Sequence, residues 1–263
     1  MDIKRYLQRI GADAGSPACT AETLRFLQRQ HLLHVPFENL DIHWKRPIVL
    51  NAEKFYQKIV GENRGGFCYE LNGLFNVLLQ ELGYETKMVS ARVGGGGNFS
   101  PEYDHMAIIV KAAKADGEEY LADVGFGDFI AEPLKLVLDI EQEDETGVFR
   151  IRKISYEDSE YFYVEKKNGN GWKGENIFTL TPRKLLEYSG MCNFHQTSPD
   201  SHFMKNKVCS LMTGAGRKTL TGDKFIKTEN GARTETLVTS EEQFNEILKR
   251  EFNIDHRKQP AIS

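Results

Sequence analysis

NRGGFCYELNGLF, Asn63–Phe75, sets a cysteine where a glycine pair gives way to an apolar-periodic run. Leu71, Leu74, Phe75, Leu78 and Leu82 follow the i, i+3, i+4, i+7 spacing of one helix face, and Gly83 supplies a stop. The pattern predicts a helix from about Cys68 to Leu82, with Cys68 in its first turn. Gly65 and Gly66 are expected to let the backbone turn sharply into it. A thiol there meets unpaired N–H groups and the positive end of the helix dipole, which favour the thiolate and suit an oxyanion. A buried thiol packing as a small hydrophobe is the plainer reading.

Outward from this stretch the chain changes character twice. Up to about Glu85 it reads helical: Thr20 is placed to cap a helix carrying Leu24, Leu27, His31 and Val35 and ending before Pro36. From about Tyr84 to Thr181 it reads as strands, TKMVSARV, HMAIIVKA, EYLADVGF, GVFRIRKI and EYFYVEKK, split by turn-formers such as KNGNG. That spacing points to a barrel or a curled antiparallel sheet. Thr181-Pro182 reads as the start of a short helix ended by Gly190. HFMKNKVCSLMT, RKTLTGDKFIKT and TETLVTS follow as strands, and EEQFNEILKREFNI as an amphipathic helix with Phe244, Ile247, Leu248 and Phe252 on one side. The glycine run at 94–97 reads as an exposed loop.

Composition excludes several classes. The chain has 263 residues, 40% hydrophobic and 27% charged, as a soluble globular protein does. A net charge of −4 gives no electrostatic case for nucleic acid. No apolar run is long enough for a membrane span, and the charged N-terminal stretch does not read as a signal peptide. Cys19, Cys68, Cys192 and Cys209 are far apart and form no CxxC pair, which argues against zinc and against a disulfide framework and fits a reducing cytoplasm; no metal is expected.

A nucleophilic thiolate wants a base, and the base wants an orienting group. His31 lies on an apolar helix face and reads as a satisfied core residue. His34 is a weak metal signal. His43 and His256 read as solvated, and His195 and His202 flank a turn-like stretch and are placed to line a cleft. His105 differs: it begins the strand HMAIIV, and Asp123 ends the next. A plain hairpin centred on Lys114 would set Asp123 directly across from His105 on the same face. Asp104, adjacent in the strand, would point the other way, and Asp128 lies beyond the strand. Two polar strand ends at the surface is the alternative.

Five stretches carry a resemblance. RGGFCYELNGLF, HMAIIV and YLADVGFG are similar to the three signature stretches of the arylamine N-acetyltransferases of the bacterial type. HVPFENLDIH (34–43) resembles that family's N-terminal segment, and TSPDSHFMKNKVCSLMTGAGRKTL (197–220) resembles the entry to its third domain. The resemblance implies an α+β fold: an N-terminal helical bundle (1–85), a central antiparallel β-barrel (86–190) and a C-terminal α/β lid (191–263), around a core like that of transglutaminases and cysteine proteases. It implies a Cys68–His105–Asp123 triad and a ping-pong reaction. In that reaction the thiolate takes an acetyl group from acetyl-CoA and passes it to an arylamine, arylhydrazine or N-arylhydroxylamine, a chemistry of foreign-compound metabolism. Phe37, Phe126 and Phe203 resemble acceptor-pocket aromatics, with ordinary core packing as the alternative. Thr213 matches a coenzyme A contact, and Arg64 and Glu70 are read as a supporting buried ion pair. A cysteine-triad hydrolase or transglutaminase-like enzyme uses the same thiolate physics, and a non-catalytic binding protein would be expected to lack a triad member.

Overall fold

The computed structural model describes residues 1–12, 18–112 and 117–255. Helices gather in the first third: Ile3–Arg9, Ala21–His34, Ala52–Tyr56 and Cys68–Glu81. Thr20 accepts a hydrogen bond from the Thr23 N–H at 3.2 Å and so starts the second helix where expected. Pro36 follows that helix's C-cap, Val35, and cannot continue it. The helix Cys68–Glu81 is the hub of the bundle. Leu71, Leu74, Phe75 and Leu78 are fully buried, and Gly83, at φ +93°, takes the left-handed turn after the C-cap.

Among the described residues, nine strands form an antiparallel sheet that curls into a nearly closed barrel. Across it run Leu134–Lys135, Glu119–Ala122, His105–Lys111, Glu85–Gly95, Gly171–Phe178, Ser159–Asn168, Gly147–Tyr156 and Gln142–Asp144, with Asn98–Phe99 folded back on Glu85–Gly95. The strand His105–Lys111 is buried on both faces. Met106, Ile108 and Val110 pack on the helices, while Ala107 and Ile109 face the barrel core with Phe129 and Phe149. A second sheet orders Phe37–Glu38, Val208–Thr213, Gly216–Thr221, Lys224–Glu229 and Ala232–Leu237. The helix Glu241–Phe252 buries Phe244, Ile247, Leu248 and Phe252 with Cys209, Leu220 and Phe225 of that sheet.

Four local expectations are corrected. Gly190 does not end a helix: a 3-10 turn, Leu185–Tyr188, leads into Ser189–Thr197, which runs through it. His202–Lys205 is helical, capped by the Ser201 hydroxyl, and the strand begins only at Val208. Gly65 and Gly66 are not positive-φ hinges. They are needed for close approach: a Cβ on Gly65 would meet the Pro36 carbonyl oxygen at 1.9 Å, and one on Gly66 would meet Glu70 Cβ at 2.8 Å. The hairpin register is Ile108 with Ala122 and Lys111 with Glu119, so a further step would set Asp123 opposite Ala107, not His105. Lys114, the expected centre, and His256 lie outside the described residues. No helix among the described residues is long and apolar enough to cross a membrane.

Candidate active site

The start of the helix Cys68–Glu81 is fixed from behind by charge. Glu70 accepts from the Phe67 N–H at 3.1 Å, closing the first turn, and takes Lys58 Nζ at 2.9 Å. Arg64 does not pair with Glu70 as expected. Its guanidinium meets Glu38 at 2.6 Å and Asp41 at 2.9 Å, and Lys58, 2.8 Å from Asp41, joins the two halves. Five buried charged groups thus lock the Phe37–Glu38 strand, the loop before the helix and the helix itself into one frame. Removing one member would leave an uncompensated buried charge.

Cys68 opens the helix and is buried. The expected lowering of its pKa is not what its surroundings produce. Burial pushes the thiol up, and the charges of Asp104 and Asp123 add to it, while a backbone hydrogen bond with Met106 works the other way. A thiolate here therefore depends on a nearby cation.

His105 supplies the candidate. Its Nε2 lies 2.6 Å from Asp123 Oδ2, both side chains sealed from solvent. The register reaches this geometry by a diagonal rather than a direct pairing, which side chains of this length span. The second oxygen of Asp123 is fully occupied: Oδ1 accepts from Asn72 Nδ2 and from the Gly125 N–H, both at 2.8 Å. Asn72 also donates to the Met106 carbonyl at 2.6 Å and accepts from the Val124 N–H at 2.8 Å. Gln28 holds the Asp123 N–H at 3.1 Å. With Nε2 engaged, Nδ1 is the His105 nitrogen left to receive a proton. Gly125 comes so near that a Cβ there would meet Cys68 Cα at 2.9 Å, which brings the Asp123 turn against the helix start.

Cys68 and His105 line a cavity of about 310 Å³ together with Phe37, Phe126 and Phe203. Phe126 packs edge-on against the His105 ring at 5.0 Å, and Phe203 lies 6.0 Å from Phe37. Thr213 is not in this cavity. It lines a separate groove of about 610 Å³ with Lys166, Arg217, Arg233 and Asp128. Asp104, expected to point away, lines the Cys68 cavity and meets His195 at 3.3 Å. It precedes the first strand residue, so strand alternation does not govern it. His195 and His202 also line the cavity, whereas His43 is half-buried rather than solvated, and His34 bonds the Gln30 carbonyl at 2.9 Å. His31 is buried as expected but unsatisfied: neither ring nitrogen has a hydrogen-bond partner among the described residues.

Asn72 and Gln28 were not singled out in the sequence. Asn72 carried a signal, lying one helical turn from Cys68 on the same face. Gln28 carried none.

A family model described as N-acetyltransferase matches residues 20–260. Human arylamine N-acetyltransferase 1 is 32% identical over 276 residues, covering 97% of this chain and 94% of its own. The arylamine N-acetyltransferase of Mycolicibacterium smegmatis is 31% identical, covering 97% and 92%. Among solved structures, the M. smegmatis arylamine N-acetyl transferase superposes with a TM-score of 0.88 at 30% identity, covering 97% and 93%. The Mycobacterium marinum arylamine N-acetyltransferase in complex with CoA gives 0.86 at 28% identity, covering 96% and 93%. The chain belongs to the arylamine N-acetyltransferase family.

Proposed function

We propose that this protein transfers an acetyl group from acetyl-CoA to the nitrogen of arylamines and arylhydrazines, and to the oxygen of N-arylhydroxylamines, through an acetyl-Cys68 intermediate. The observation that carries this reading is the buttressed His105–Asp123 contact in the cavity that Cys68 lines. Cys68 gives its proton to His105 Nδ1, and Asp123 stabilises the imidazolium. The thiolate attacks the thioester carbonyl, and N–H groups of the helix start receive the oxyanion. The carbon–sulfur bond to coenzyme A breaks, and the departing thiolate takes the imidazolium proton. The acceptor nitrogen then attacks acetyl-Cys68. His105 takes the proton the nitrogen loses, and the Cys68 thiolate leaves.

Residues 1–85 supply the nucleophile, 86–190 the base and its orienter, and 191–263 the cover in this division of labour. Phe37, Phe126 and Phe203 receive the flat acceptor, since ring contacts add about 0.5–1.5 kcal/mol beyond burial. Thr213 and the cations of its groove suit the phosphates of coenzyme A. A reducing cytoplasm keeps Cys68 a free thiol.

Intact-protein mass spectrometry after mixing with acetyl-CoA alone tests this. One acetyl group mapped to Cys68, released on adding aniline, is expected. Equal labelling of Cys68→Ala would overturn it.

A further inference from the structure

Phe203 reaches the cavity from a helix of one turn, His202–Lys205, which is too short to hold its own place. Its backbone is gripped from two sides instead. The Ser201 hydroxyl accepts from the Phe203 N–H at 3.2 Å and donates to the His195 carbonyl at 3.1 Å. From the other side, Asn39 Nδ2 donates to the Phe203 carbonyl at 3.0 Å and to the Asn206 carbonyl at 2.7 Å, while Asn39 Oδ1 accepts from the Val208 N–H at 2.9 Å. One fully buried amide thus ties down the segment 203–208, with both donor hydrogens and its oxygen engaged.

The place of Asn39 in the chain gives its side chain another use, which it forgoes. It is the N-cap of the short helix Leu40–His43, where an asparagine oxygen ordinarily accepts from the helix's own N–H groups. Asn39 makes no such bond, and Glu38 Oε2 takes the Leu40 N–H at 2.8 Å. Two residues earlier stands Phe37, whose ring lies 6.0 Å from that of Phe203 on the cavity lining. The amide therefore joins the two chain stretches that carry these rings, while Asn39 itself is outside the described lining.

We propose that Asn39 is a positioning residue for the acceptor step, fixing Phe203 beside Phe37 so that a flat acceptor meets a wall already formed. This rests on the acyl-transfer reading with Phe203 as acceptor wall, and adds to it what holds that wall. Without the amide, an acceptor must order the Phe203 segment as it binds, and the loss falls on affinity rather than on the chemical step.

Single-turnover transfer from acetyl-Cys68 to aniline tests this in wild type, Asn39→Ser, Phe203→Ala and the double variant. Serine removes both amide donors and leaves one hydroxyl. Asn39→Ser is expected to raise the half-saturating aniline concentration about fivefold or more while the maximal rate changes by less than about threefold. Phe203→Ala should raise it at least as much. In the double variant the loss should stay within about twofold of Phe203→Ala alone, because the ring that Asn39 places is already gone. A residue that merely stabilises the fold would lower the maximal rate with the amount of competent protein, and its loss would multiply with that of Phe203→Ala. An unchanged half-saturating concentration in Asn39→Ser or in Phe203→Ala overturns the proposal, and so do multiplying losses. If Asn39→Ser does not fold, Asn39→Asp, which keeps the shape and sets an oxygen against the two carbonyls, carries the same comparison with the same outcomes. Failure of the acyl-transfer reading is recognised separately, as wild-type protein that acetylates neither Cys68 nor aniline, and it takes this proposal with it.

Discussion

His105 meets Asp123 at 2.6 Å with both side chains sealed from solvent, whereas His195 meets Asp104 at 3.3 Å and Asp104 keeps a fifth of its surface. Both histidines and Asp104 line one cavity, with Asp123 behind His105, and the two pairs use the same residue types. They differ in what holds the carboxylate. The Asp123 oxygen turned away from the histidine is taken by Asn72 and the Gly125 N–H, so Asp123 has one position. Asp104 sits ahead of its strand and leans on the imidazole it faces. A tight pair suits a proton that must move on demand, and a looser one suits a standing charge.

The largest effect should come from Asp123→Asn. An amide cannot stabilise the imidazolium, so acetyl transfer near neutral pH is expected to fall by roughly a thousandfold or more. Iodoacetamide alkylation of Cys68 should move to higher pH at the same time. Unchanged alkylation would mean that the pair does not govern the thiol.

Asp104→Asn should act in the opposite direction and by less. After burial, Asp104 heads the charges that push Cys68 up, and its removal should move the alkylation profile to lower pH by less than about one unit. A shift upward would show that Asp104 serves the imidazolium more than it opposes the thiolate.

His31 sharpens the comparison from outside the cavity, as a buried histidine paired with no carboxylate among the described residues. It is wedged edge-on between Tyr6 and Phe75, and burial lowers its pKa from 6.5 to about 3. The folded protein therefore binds fewer protons than the unfolded chain below pH 6.5, and stability is lost as pH falls from there toward 3. The loss reaches up to roughly 5 kcal/mol. His31→Phe should flatten that part of an acid denaturation curve while leaving activity at neutral pH in place. An unaltered curve would assign the acid sensitivity elsewhere.

What the sequence disclosed follows the physics of each feature. Ala21–His34 and Cys68–Glu81 are long enough for their apolar period to show, and Thr20 and Gly83 punctuate them. Plain hairpin pairing brings His105 and Asp123 together through a register the structure does not adopt, and the contact forms all the same because side chains of this length span a diagonal offset. Leu134–Lys135 and Phe37–Glu38, two residues each, have no period to read. The Asn72–Asp123 bond joins residues 51 apart, and the Asp104–His195 contact joins residues 91 apart. Neither leaves a local trace. Thr213 lies in a separate groove with Lys166 and Arg217, a placement that a linear match does not reveal.

The Phe37–Glu38 strand pairs with Ser210 and Cys209, and the Asn39 side chain caps the same junction by accepting from the Val208 N–H. On a ribosome, a segment from the first sixth of the chain therefore waits for most of the rest to be made before its edge is covered. Closing so long a loop is entropically expensive and slow relative to local helix formation. The helix Cys68–Glu81 can be complete long before the wall containing Phe37 and Phe203 comes together around Cys68. Nascent chains are thus expected to hold an accessible, unsheltered Cys68, and their reactivity toward a thiol reagent should decline only once synthesis has passed Ser210.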